Sequence, residues 1–124
     1  MPFELKYDRD NKFLVITLKD NFSTQEFVEV MDAITRSGDF PADVPVLWDS
    51  RLIKMPAVDR NIFSGFIEIR KKYPERGNSK LAIVVADDYS FGMSRMYEML
   101  TNDLPQNIMV FRDYQAGMKW LCGR

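Results

Sequence analysis

The chain contains no histidine. That absence removes Ser-His-Asp and Cys-His nucleophilic sites, imidazole acid–base catalysis and every histidine-bearing zinc site. A single cysteine, Cys122, forbids an internal disulfide and a four-cysteine zinc site, so a disulfide-stapled extracellular scaffold is ruled out. No glycine-rich phosphate loop of the P-loop or dinucleotide type is present. A charge surplus is missing as well. Seventeen basic against 18 acidic residues give a formal net charge of -1, without the excess of Lys and Arg that draws nucleic acid or anionic lipid. No apolar run approaches the roughly 20 residues of a membrane-spanning helix. The opening Met1-Pro2-Phe3-Glu4-Leu5-Lys6 lacks the basic-then-apolar pattern of a signal peptide. A cytoplasmic protein is therefore expected, with no nucleic-acid partner and no transmembrane segment. Carboxylate-only mechanisms and carboxylate–Mg²⁺ sites pass this filter.

What remains is enough for one independently folding domain over residues 1–124. Nine Phe, five Tyr and two Trp supply the bulk of a core without help from a metal or a disulfide. Phe3, Leu5 and Tyr7 alternate with Glu4, Lys6 and Asp8, the period of a half-exposed strand. The turn cluster Asp8-Arg9-Asp10-Asn11 leads into a second strand from Phe13 to Leu18, giving a hairpin. Ser23 and Glu26 have capping-box spacing, with Phe22 and Phe27 placed for a hydrophobic staple. Phe27, Val30, Met31 and Ile34 then recur on one helical face, and Gly38 marks the stop. Val46-Leu47-Trp48 reads as a short strand ending at Asp49, with a loop from Arg51 to Met55.

Pro56 suits the first turn of the next helix. Val58, Ile62, Phe66, Ile69 and Tyr73 form its stripe, and Arg70, Lys71 and Lys72 complement its C-terminal dipole. Leu81 to Ala86 is apolar without alternation, as in a strand buried on both faces at the centre of a sheet. Met93, Met96, Tyr97 and Leu100 mark a third helix starting near Ser90. Ile108 to Phe111 forms a last strand, and Asp113 caps a final helix whose inner face carries Gly117, Trp120 and Leu121. The order β-β-α-β-α-β-α-β-α predicts an α/β fold: one mixed, mostly parallel five-stranded sheet with four helices.

In such sheets ligands bind beyond the carboxyl ends of the strands. That rule selects Asp49, Ser50 and Arg51; Asp87, Asp88 and Ser90; and Arg112 with Asp113. Asp59, at the start of the second helix, joins this candidate set for a ligand or partner. The same residue types also cap helices and pair with one another, which is the structural reading of these loops. A Mg²⁺ site on Asp49, Asp87 and Asp88 needs only one or two of those carboxylates, but no phosphate loop accompanies them. Phe63, Phe66, Met93 and Met96 are candidates for an apolar pocket, Met side chains being adaptable linings; the opposing reading places them in the core. Met99 and Phe63, if both exposed, form a candidate partner surface. No basic motif near Cys122 clearly activates it, and it reads as structural or incidental.

Val46-Leu47-Trp48-Asp49-Ser50-Arg51, Phe91-Gly92-Met93-Ser94-Arg95-Met96-Tyr97-Glu98 and Val110-Phe111-Arg112-Asp113 through Trp120-Leu121 together resemble the STAS-like proteins. These are the SpoIIAA-like relatives of the sporulation anti-sigma-factor antagonist, with a more distant similarity to the CRAL-TRIO lipid-binding domains. The resemblance implies the mixed sheet described above. It also implies a regulatory module in which a serine after the third strand is phosphorylated by a partner kinase. Here the corresponding stretch is Ala57-Val58-Asp59-Arg60-Asn61, which holds no hydroxyl. The expectation is a non-catalytic binding module without a cofactor, recognising a regulatory protein or a small apolar or anionic, lipid-like ligand, with a homodimer as one possible assembly. A carboxylate–Mg²⁺ enzyme and an acyl-chain carrier are the alternatives.

Overall fold

The structure is a computed structural model that describes residues 3–20, 23–53 and 60–123, the side chains of Asp20 and of residues 60–62 excepted. The chain opens with β1 (Phe3–Asp8) and β2 (Phe13–Asp20), an antiparallel hairpin in which Phe3 faces Leu18 and Asp8 faces Phe13. Its turn is held by the Asp8 carboxylate, which accepts from the backbone of Asp10 and Asn11. Lys12, at φ 59°, takes the left-handed conformation that closes the turn.

Helix α1 (Thr24–Thr35) starts on the capping box. Ser23 Oγ accepts from the Glu26 amide at 3.2 Å, and Glu26 Oε1 accepts from the Ser23 amide at 3.2 Å. Two orphan donors of the first turn are satisfied reciprocally, which is why the helix begins there. The expected staple involves Phe22, which lies outside the described residues. The helix ends at Thr35, three residues before Gly38, whose φ of +81° serves the following turn.

Strand β3 (Val46–Ile53) is longer than the sequence pattern indicates. It does not stop at Asp49, because Leu52 and Ile53 continue to pair with Lys19 and Asp20 of β2 after a register shift. The segment Arg51–Ile53 is therefore strand, and the expectation of a loop there is corrected. Beyond it come α2 (Arg60–Arg70), a 3₁₀ turn (Pro74–Arg76), β4 (Lys80–Val84), α3 (Asp88–Leu100), β5 (Asn107–Phe111) and α4 (Tyr114–Leu121). The sheet order is β1-β2-β3-β4-β5, with the last four strands parallel. β4 is thus an interior strand, and β3 holds the central place expected for it.

The two faces of the sheet are covered differently. Alternation along β2 sends Leu14, Ile16 and Leu18 to one face and Phe13 and Val15 to the other. The first face meets α1 through Phe27, Val30, Met31 and Ile34. The second meets α4, where Gly117 lets the helix approach so closely that an added Cβ would lie 3.2 Å from Val84 Cγ2. Each large side chain fully buried on either face stabilises the fold by roughly 1.5–3 kcal/mol. Among the described residues no helix is long and apolar enough to cross a membrane.

Candidate functional site

The strand-end residues selected from the sequence largely satisfy one another. Asp49 is buried and takes both its oxygens to one guanidinium: Arg51 Nε donates to Oδ1 and Nη2 to Oδ2, each at 2.8 Å. That two-point bond holds the Asp49 carboxyl below its ordinary range, against the opposing effect of burial. Arg51 lies over the Tyr114 ring. Asp87 is the N-cap of α3, accepting from the Ser90 amide at 2.7 Å. Asp88 pairs with Arg112, whose guanidinium covers the Phe91 ring. Asp113 caps α4. These loops therefore follow their capping and pairing chemistry. Among the described residues no group of three carboxylates is arranged to hold a metal ion. Asp59 lies outside the described residues.

The feature that sequence reasoning missed is a cavity between the first sheet face and helices α1, α2 and α3. Its volume is about 100 Å³, where a single water needs only about 10–15 Å³. The floor is Leu18, Trp48, Leu81, Ile83 and Ile108 from four adjacent strands. Five rings wall it in a chain: Trp48 against Phe27 at 5.6 Å, Phe27 against Phe66 at 4.9 Å, then Phe66 and Phe63 each against Tyr97. Ser50, 6% exposed, lines the cavity two residues beyond Trp48 on β3, and Ile53 lines it further along the same strand. Of the apolar candidates, Phe63 and Phe66 line this space and Met93 and Met96 do not. Met93 instead packs with Val85 and Val110, and Met96 is half-buried on α3. Phe63 is buried while Met99 is 66% exposed, so the two do not share a surface.

Two arginines line the same cavity. Arg70 is 5% exposed and Arg76 only 1%. Arginine is almost never buried to this degree without a carboxylate, yet among the described residues neither forms an ion pair. Arg70 is aimed by Nε, which donates to Gln106 Oε1 at 2.8 Å, and by Nη1, which donates to the Tyr97 hydroxyl at 3.3 Å. Arg76 donates from Nη1 to the Ala42 carbonyl at 2.9 Å. Arg70 Nη2, Arg76 Nε and Arg76 Nη2 find no acceptor among the described residues. Burial pushes the Arg76 guanidinium down to about 10, with a pull back up from Asp43 and a further push down from the nearby Arg70. Arg76 and Gln106 precede β4 and β5, so the cationic end sits at the amino ends of those strands rather than beyond their carboxyl ends.

A sequence signal for Arg70 exists. It falls seven residues after Phe63 and four after Phe66, on the apolar stripe of α2, where a cation is out of place. Arg76 gave no such signal, because a Pro-Glu-Arg-Gly turn reads as exposed loop.

No family model matches the chain, and no curated protein matches it. Among solved structures it is similar to an uncharacterised protein of the DUF3478 family from Shewanella loihica PV-4, described as having a SpoIIAA-like fold. The two superpose with a TM-score of 0.67 over 97% of this chain and 92% of the other, at 13% sequence identity. The fold is SpoIIAA-like. With 97% of the chain covered, the match takes in the hairpin, the parallel strands and the helices. At this identity the likeness concerns the SpoIIAA-like architecture alone. The comparison lends no support to the similarity to CRAL-TRIO domains.

Proposed function

We propose that this SpoIIAA-like domain is a non-catalytic binding module, and that it takes a small ligand with an apolar body and an anionic group into the cavity under α1, α2 and α3. The observation that carries this reading is the pair of buried arginines, Arg70 and Arg76, three of whose nitrogens lack acceptors among the described residues, lining a mostly apolar space. A buried charge costs several kcal/mol unless it is paired, and an unfilled buried donor adds a further ~1–3 kcal/mol. A bound anion removes both penalties at once. The strand-end residues argue in the same direction by default, since Asp49, Asp87, Asp88 and Arg112 are engaged in pairs and caps.

Native mass spectrometry of gently purified protein, with a denatured control, tests this reading. The expected result is a noncovalent adduct that disappears on denaturation and is lost in an Arg70→Met, Arg76→Met double variant. A protein that remains bare at its sequence mass, even after incubation with an extract of small molecules, would overturn the proposal and direct attention to a protein partner.

A further inference from the structure

The cavity restricts its occupant first by size. Its volume is about 100 Å³, and an apolar cavity of about 150 Å³ takes up benzene. One six-membered ring is therefore the largest rigid body that this space admits. An extended alkyl chain and a fused pair of rings are both too large.

The walls then separate an aromatic body from a saturated one of the same size. The floor is a sheet face, with Leu81 beside Ile108 and Ile83 beside Trp48 on neighbouring strands. Around it stand rings that are inclined to one another rather than stacked. Phe27 is tilted by 47° to Trp48 and by 55° to Phe66. Phe63 is tilted by 49° to Tyr97, and Phe66 stands edge-on to Tyr97 at 85°. All five rings line the space, so both ring edges and ring faces border it. An aromatic edge carries partial positive charge and an aromatic face partial negative charge. A planar aromatic occupant finds an opposite partner in such a wall, a gain beyond the burial of area. A saturated ring of equal volume gains from area alone.

We propose that the cavity selects a ligand whose apolar body is a single aromatic ring, and that it excludes extended alkyl chains and fused ring systems. This rests on the reading of the cavity as a ligand site. It adds the size limit and the chemical class of the apolar body.

Thermal unfolding of the intact protein is measured in sealed cells with benzene, cyclopentane, naphthalene and 1-octanol. Benzene and cyclopentane are matched in volume and differ in aromatic character. Benzene should raise the midpoint in a saturable way. With each compound corrected for its own partition between water and hydrocarbon, benzene should bind about three- to tenfold more tightly than cyclopentane. Naphthalene and 1-octanol should not raise the midpoint. Phe66→Leu removes one ring from the wall, so it should narrow the gap between benzene and cyclopentane. Corrected affinities that are equal, or that favour cyclopentane, would overturn the aromatic assignment and leave the ligand site standing. Saturable binding of naphthalene or 1-octanol would overturn the size limit. Failure of all four compounds would sink the ligand site itself. The four compounds are compared on the unaltered chain, so the outcome stands even where the Phe66 variant folds poorly.

Discussion

Asp49 and Arg76 are both buried charges, and the fold treats them oppositely. Asp49 has Arg51 two residues away, on the same strand, and the two-point bond keeps the carboxylate ionised. Its folded value lies below the ordinary 3.8. The pair therefore contributes stability that is fully present above that value and is lost as pH falls through the lower, folded one. Asp49→Asn should lower the unfolding free energy at neutral pH by about 1 kcal/mol, a figure kept small because Arg51 is half exposed to solvent. Urea midpoints followed down the acid limb should show the gap between variant and wild type closing below pH 3.8. A gap that stays constant in acid would contradict this account of the pair. Among the described residues no carboxylate is bonded to Arg76, and burial depresses its folded value to about 10. Carrying the charge at neutral pH weighs against the fold, and that penalty is relieved only as pH rises from about 10 towards 12.5, or when an anion arrives.

At the scale of elements, helix α1 and helix α2 meet at a small residue. A Cβ added at Gly65 would stand 2.9 Å from Thr24 Cγ2, closer than side chains pack. In an isolated helix, Gly to Ala is worth about 0.8–1 kcal/mol in favour of Ala. The contact should cancel that gain in the native background and release it when Thr24 loses its methyl. In a double-mutant cycle, Gly65→Ala alone should be neutral or destabilising, and Gly65→Ala in a Thr24→Ser background should stabilise by about 1 kcal/mol. Additive effects would show that the two helices have room to separate. The start of α1 was legible in the sequence because Ser23 and Glu26 act on adjacent backbone. The cap Asp113 was legible for the same reason, whereas the third helix, expected near Ser90, starts at Asp88 with Asp87 as its cap. The continuation of β3 through Arg51–Ile53 was not. Leu52 is 60% exposed and nothing local marks a strand; the cause is pairing with β2 across a register shift. The stripe of α3 was misread in part, since Ser90 and Ser94 are buried and Leu100 is exposed. The cavity was beyond reach of pattern reading, except for Arg70, because its walls come from eight separate elements, the 3₁₀ turn included.

Taken as a whole molecule, the sheet packs its two faces differently, and one of them is hollow. On the α4 face, Gly117 brings helix and sheet into close contact. On the face covered by α1, α2 and α3, the rings of Phe27, Phe63, Phe66 and Tyr97 stand around a space that ends on two guanidiniums. The SpoIIAA-like architecture is shared with a protein at 13% identity. The proposed function rests on the buried arginines of this chain. The two tryptophans report on the two faces separately. Trp48 lines the cavity, whereas Trp120 belongs to the α4 side, against Phe111 and beneath Lys80. The most direct measurement is tryptophan emission during titration with bromobenzene, whose bromine quenches on contact. It is made on Trp120→Phe protein, which reports Trp48, and on Trp48→Phe protein, which reports Trp120. Saturable quenching of Trp48 with Trp120 unaffected is the predicted result; no quenching of Trp48, or equal quenching of both, would contradict a ligand site on the hollow face.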